Sequence, residues 1–447
     1  MDSKATTIQA PRKRNLGFDL FRFWGVFLIF IGHNYYVMNG FQSNISNVNM
    51  EILNAPNWWQ EFWYPSIWIN LVLTGVPLFI MIHGFHSLGK PCGPNDWVKT
   101  KTDFVKYVVF WGKWAIIGAL LTFIAPSIWG NPIEGMTTGQ AMELFIENVI
   151  CTQVTKGFNM VTAINWTVLA LSWASVLCFI LRPLFQSKNI QAIRICTAIA
   201  CVMCVINPTI RDLGTYFLAK NPDSLVALFF SNFTFFDTTG FNTYNWYNFW
   251  FPMLMLGGWY AVDTKVRDKV RSWSWGVTLA VSAVLVVIFV YITHFGGLIS
   301  EYAATTGTAI NIYWRCGWMP ASFAWFIIAD KINATCSEDS KLGRFIAKYG
   351  TDNIGAMIIS YPFGSTLQKT VLLFVYEWMF DTFKTPFGLS AAFLIYNVLF
   401  YAVLILIVHY LRPVFAKVPF LRGLLYWDKI TIFDKEKKAI VVSDNKG

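Results

Sequence analysis

Residues Asn15-Leu16-Gly17-Phe18-Asp19-Leu20-Phe21-Arg22-Phe23-Trp24-Gly25-Val26-Phe27-Leu28-Ile29-Phe30-Ile31-Gly32-His33 form an apolar run broken at only three places by an ionisable side chain. The run continues to about residue 38, long enough at 1.5 Å per residue to cross a bilayer core of about 30 Å as a helix. The rest of the chain repeats this texture. Over 447 residues, hydrophobic types make up 55% and charged types 13%, which cannot clothe a soluble surface of ordinary polarity. The mean hydropathy is +0.46. This composition excludes a cytosolic enzyme, a disordered chain and a fibrous one. The expected fold class is all-α, a polytopic transmembrane helix bundle.

Spans are expected near 18–38, 66–86, 104–125, 162–182, 190–207, 247–262, 275–295, 309–329, 353–378 and 388–411, about ten in all. The ninth is interrupted by Pro362 and Gly364. The net charge of +10 is distributed loop by loop. Lys4, Arg12, Lys13 and Arg14 precede the first span. Lys90, Lys99, Lys101 and Lys106 follow the second, and Arg182, Lys188 and Arg194 follow the fourth. Lys265, Arg267, Lys269 and Arg271 follow the sixth; Lys331, Lys341, Arg344 and Lys348 follow the eighth. The intervening loops hold only Lys156, Arg211, Lys220 and Lys384. Cationic loops resist translocation, so both termini are expected in the cytoplasm of a multi-pass plasma-membrane protein. The positive charge then reads as orientation and lipid-headgroup affinity, with no nucleic-acid partner. The membrane domain is expected over 1–411 and a cytoplasmic tail over 412–447.

No cleavable signal peptide is expected, because Asp19, Arg22 and His33 interrupt the first apolar run. The eight cysteines give no disulfide framework, and Cys201 and Cys204 read as packing residues of an apolar helix. His83 and His86 have a spacing that metals use, but no acid or cysteine completes a set near them, and no metal is expected.

Ionisable groups in a bilayer are costly and mark function by default. Asp19 and Arg22 are three residues apart and share a helix face. Arg22 and His33 are eleven apart, three turns and about 16 Å along the axis. With the N-terminus inside, the stripe carries an anion-binding group at the inner mouth and a proton-transfer group in the outer third. The structural alternative is that Asp19 and Arg22 pair with each other and reach to the inner interface. Lys113 falls near the middle of the third span. Arg315 falls near the outer end of the eighth, level with His33. The outer loops 39–65, 126–160 and 208–246 are rich in aromatics, including Trp58 and Trp63. Such rings either form an interfacial belt or stack on sugars.

This first-span pattern resembles that of the integral-membrane acyltransferase family 3, the polysaccharide O-acyltransferases, whose first span carries an acidic residue, an arginine and, further on, a histidine. Val76-Pro77-Leu78-Phe79-Ile80-Met81-Ile82-His83-Gly84-Phe85 is similar to a second stretch of that family, with His83 where a serine is usual. Gly350-Thr351-Asp352-Asn353 with Ser360-Tyr361-Pro362 is similar to a third, with Tyr361 departing from it. The family's paired arginines after the second span are missing. The resemblance implies transfer of an acyl group, often acetyl, from cytosolic acetyl-CoA or another acyl-CoA to a glycan hydroxyl on the outer side. On that reading His33 and Asp19 are the catalytic candidates. Arg22, Lys99, Lys101 and Lys113 would hold the phosphates and thioester of the CoA. Arg315, Trp58 and Trp63 would meet the acceptor. A histidine with an ordinary value near 6.5 suits removal of a hydroxyl proton. The rival expectation is a transporter or flippase of glycans or lipid-linked sugars, which shares the polytopic form, the broken ninth span and the buried charges.

Overall fold

The computed structural model describes residues 15–44, 74–124, 137–140, 143, 165–187, 189–232, 246–305, 318–360, 363, 367, 372–383 and 385–426. Among them the secondary structure is helical, with no strand. In chain order the helices are α1 (Leu16–Asn44), α2 (Gly75–Leu88), α3 (Asp96–Ile124), α4 (Asn165–Gln186), α5 (Ile190–Cys201), α6 (Asn207–Lys220), α7 (Leu225–Ser231), α8 (Trp246–Val262), α9 (Thr264–Ser272), α10 (Trp275–Thr305), α11 (Trp318–Thr335), α12 (Lys341–Ile359), α13 (Leu373–Thr382) and α14 (Pro386–Phe415).

Local chemistry sets several of their ends. The side chains of Asn189, Ser224, Asp263, Ser340 and Thr385 accept from the N–H groups of Ala192, Ala227, Val266, Gly343 and Gly388. Each satisfies one orphan donor of a first turn. Between α5 and α6 the helix does not stop. It widens into a π-helical turn over Val202–Ile206. Pro208 accounts for the widening, since it has no N–H to give to a carbonyl one turn back. The expected loop at 208 is therefore helix, and α6 carries the chain on to Lys220.

Among the described residues, three stretches are single helices long and apolar enough to cross a membrane: Asp96–Leu121, Ile190–Lys220 and Ala391–Phe415. The bent pair Thr264–Ser272 and Trp275–Val290 makes a fourth candidate, with 110° between its arms. Only 17% of the most apolar window of α3 is buried against protein. Ile116, Leu120, Phe123 and Ile124 are all exposed along it. A soluble monomer does not leave so continuous an apolar face to water, whereas lipid covers it at no cost. These are the properties of a helical membrane protein.

The core forms around α1, which is apolar on most of its circumference. On one side Phe18 and Phe21 join Leu78 and Met81 of α2, Leu254 and Tyr260 of α8, and Phe326 of α11. On the other, Val26, Phe27 and Phe30 pack with Ala356 of α12 and Phe400, Tyr401 and Val408 of α14. A third cluster joins Phe110 and Trp114 of α3 to Ile358 of α12 and Leu424. Residues 416–426, assigned to the tail by sequence, thus pack on the helical body.

Close helix contacts are made through glycine. A Cβ on Gly84 of α2 would collide with the Leu254 carbonyl, and one on Gly257 of α8 with the Met81 carbonyl. Small residues let backbones approach in this way where lipid gives no hydrophobic drive for association.

Candidate functional site

One end of the bundle gathers the polar chemistry. Gly17 N, at the start of α1, donates to Asn333 Oδ1 at the end of α11 (2.7 Å). Arg182 Nε, near the end of α4, donates to Ser87 O near the end of α2 (2.9 Å). The same guanidinium pairs with Asp96 at the start of α3 (2.8 Å). Gln186 Nε2 donates to Leu88 O (3.0 Å). Arg194 of α5 pairs with Asp263 after α8 (2.8 Å), and the Trp259 indole donates to the same carboxylate (3.0 Å). Asp330 of α11 is fully buried. It accepts from Arg271 Nε and Arg271 NH2 (2.9 and 2.7 Å) and from the Tyr260 hydroxyl (2.8 Å). The helix ends that carry the basic loops are therefore bound to one another.

Asp19 and Arg22 sit at this end. Arg22 NH1 donates to Asp19 Oδ1 at 2.9 Å, with the arginine side chain 39% exposed. The i,i+3 spacing that the sequence displays thus does make a pair. His86 lies beside Phe18, with ring centroids 5.5 Å apart. Arg22 and Lys90 are within electrostatic reach of both His83 and His86, and Lys99 and Arg182 of His83. His83 Nε2 and Ser87 Oγ are 3.4 Å apart. The gathering is cationic, open at Arg22, and walled by Phe18 and Phe85. Such charge is complementary to an anionic group such as a phosphate.

The expected set divides as follows. Arg22 and Lys99 are within electrostatic reach of His83, and Lys101 is exposed two residues beyond Lys99 on α3. Lys113 goes elsewhere: its Nζ donates to the Arg422 carbonyl at 2.7 Å. Helix α3 has 29 residues, about 43 Å, so it exceeds a bilayer core and carries Lys113 to the level of the packed C-terminal segment. His33 lies on α1, which is helical throughout Leu16–Asn44, but its side chain is outside the described residues. The helix sets Asp19 fourteen residues, about 21 Å, from position 33. Asp19 therefore pairs with Arg22 and is too far along the axis to touch a group held at His33. Trp58, Trp63 and Arg315 are outside the described residues. Among the described residues no three His, Cys, Asp or Glu side chains gather closely enough to hold a metal ion.

A second polar centre was not expected. Asp352 of α12 is fully buried. His409 Nδ1 lies 2.7 Å from its Oδ2, and Arg412 NH1 lies 2.6 Å from its Oδ1. Arg412 also donates to Thr351 Oγ1, and the Tyr401 hydroxyl donates to Asn353 Oδ1. The sequence signal was Gly350-Thr351-Asp352-Asn353, but nothing local in it points to partners on α14.

No protein-family model matches the chain, and no curated protein or solved structure matches it.

Proposed function

We propose that this chain is an integral-membrane O-acyltransferase. It moves an acyl group, acetyl first among them, from cytosolic acyl-CoA to a hydroxyl of an extracytoplasmic or lipid-linked glycan. The protein then lies in the plasma membrane with about ten spans and both termini in the cytoplasm. The observation that carries the reading is Arg22, paired with Asp19 and 39% exposed near the start of the helix that carries His33 about 16 Å further along, at the end of the bundle where Arg182, Arg194 and Arg271 are also held.

In this reading that end of the bundle receives the phosphates of the donor, and Asp19 keeps Arg22 aimed at them. The thioester reaches the level of His33 on the extended pantetheine arm. His33 accepts the proton of the acceptor hydroxyl as its oxygen attacks the thioester carbonyl. Collapse of the tetrahedral intermediate breaks the C–S bond. The CoA thiolate leaves and takes up the proton from His33, which returns to its neutral state. Arg315 supplies positive charge for the oxyanion, and the Trp58 and Trp63 rings stack on the acceptor sugar.

The test uses purified protein in detergent with acetyl-CoA labelled in its acetyl group. An acyltransferase releases free CoA and passes the label to an acceptor or to water. A glycan transporter or flippase leaves acetyl-CoA intact, and that result would replace this reading.

A further inference from the structure

A cleft of about 550 Å³ opens between the middle of α12, the end of α14 and the segment that follows it. Its walls include Thr351, Arg412, Phe415, Leu421, Leu425 and Tyr426. The arginine is held from behind. Its NH1 donates a hydrogen bond to Thr351 Oγ1 and forms an ion pair with Asp352 Oδ1 at 2.6 Å. The Asp352 carboxylate has no exposure, while the Arg412 side chain keeps 32% of its own. Among the described residues, Nε and NH2 of Arg412 make no hydrogen bond. The guanidinium is thus held at NH1 and, part-exposed, lines the cleft.

The far wall is built with equal economy. Gly423 takes a left-handed backbone conformation, φ 85°, which turns residues 421–425 back over the cleft. Lys113 Nζ and the Trp114 indole anchor this turn from α3 through the carbonyls of Arg422 and Leu424 (2.7 and 3.1 Å). Lys417 and Arg422 are exposed on the same segment and add positive charge near the mouth. The cleft therefore offers a pre-oriented guanidinium and a hydroxyl at its polar end, and aliphatic and aromatic side chains beside them. A part-exposed guanidinium held by a buried carboxylate at the wall of a cleft is suited to recognition of a phosphate. The neighbouring apolar wall selects phosphates that carry an apolar or ring-bearing body.

We propose that this cleft binds the phosphate group of such a compound, with Arg412 and Thr351 on the phosphate and Phe415, Leu421, Leu425 and Tyr426 on its body. Two sources share the chemistry: the nucleotide end of a phosphorylated cofactor and the headgroup of an anionic phospholipid. The site does not depend on acyl transfer and stands if that activity is absent.

The test measures binding to the purified full chain. Adenosine 3′,5′-bisphosphate is titrated by calorimetry, and phosphatidylglycerol retention is read by native mass spectrometry. Bisphosphate binding that persists in Arg22→Ala assigns the nucleotide source to this cleft, and retention of phosphatidylglycerol alone assigns the lipid source. Binding of neither overturns the proposal. Two variants then locate the bound molecule. Arg412→Gln removes the charge-assisted contact and is expected to weaken binding at least tenfold. Ala416→Trp fills the cleft from an exposed position, leaves the Asp352–Arg412 pair intact, and is expected to abolish binding. Full affinity in either folded variant overturns the proposal. If Arg412→Gln fails to fold, Ala416→Trp decides alone.

Discussion

Individual side chains show where sequence reading reaches and where it stops. The Asp19–Arg22 pair was legible because its two members share one helix face, and helix geometry alone brings them together. Asp330 with Arg271, and Asp352 with Arg412, were not legible. Their partners lie about 60 residues away, and only the packing of separate helices joins them. Asp330 is buried with three hydrogen bonds, so Asp330→Ala would strand the Arg271 guanidinium and the Tyr260 hydroxyl. Breaking one partner from a buried ion pair costs about 3–5 kcal/mol. The detergent-solubilised variant should lose a correspondingly large part of its thermal stability, or fail to fold. A melting temperature equal to the parent's would mean the network is not formed. For His33, the general-base role predicts that His33→Gln keeps the fold and CoA binding yet loses acyl transfer by at least about 10²-fold. Near-normal turnover in that variant would move the base to another group, with His83 the next to test.

Elements add constraints that no single residue carries. The α2–α8 contact depends on Gly84 and Gly257, whose missing side chains let each backbone approach the other's carbonyls. Gly257→Leu has no room and should destabilise by about 1–3 kcal/mol or more, read as a lowered melting temperature or aggregation. Gly276→Ala is the control. Its Cβ would meet nothing closer than Ser274 Oγ at 3.8 Å, and helix propensity favours it. The junction after α8 adds a pH dependence. Burial pushes the Asp263 carboxyl up, but hydrogen bonds from Arg194, the Val266 N–H and the Trp259 indole outweigh it and hold the group below the usual carboxylate range. A carboxylate held low in the folded state stabilises it above the unfolded value of about 3.9, and that contribution is lost as pH falls through the lower folded value. Thermal stability should therefore decline below about pH 4, and less steeply in Asp263→Asn. An identical acid profile in the two proteins would remove Asp263 as a cause. Helix α6 marks another limit of sequence reading. A loop was expected from residue 208, whereas the chain passes through a π-helical turn over Val202–Ile206 and the helix runs on to Lys220.

At the scale of the whole molecule, the helical class and its apolar, membrane-type helices were visible in the composition, whereas ten spans were read from the sequence and three or four candidate spans stand among the described residues. The central place of α1 was visible in part. Its apolar circumference showed, but not the two cores it joins. The alternation of basic loops predicts that single cysteines placed at 39–65, 126–160 and 221–246 react with an impermeant thiol reagent in intact cells, and cysteines beside Lys99 or Arg267 do not. Labelling in the opposite pattern would invert the topology and place Arg22 away from cytosolic CoA. The placement of Arg22 at one end of the bundle gains functional meaning only if that end meets the donor. The most direct measurement is acetyl transfer itself: acetyl-labelled acetyl-CoA supplied to the purified protein, with free CoA and labelled acceptor followed over time. Release of CoA that depends on the protein and is lost in His33→Gln is the predicted result. Acetyl-CoA that remains intact in the presence of the folded protein and its glycan acceptor would contradict it.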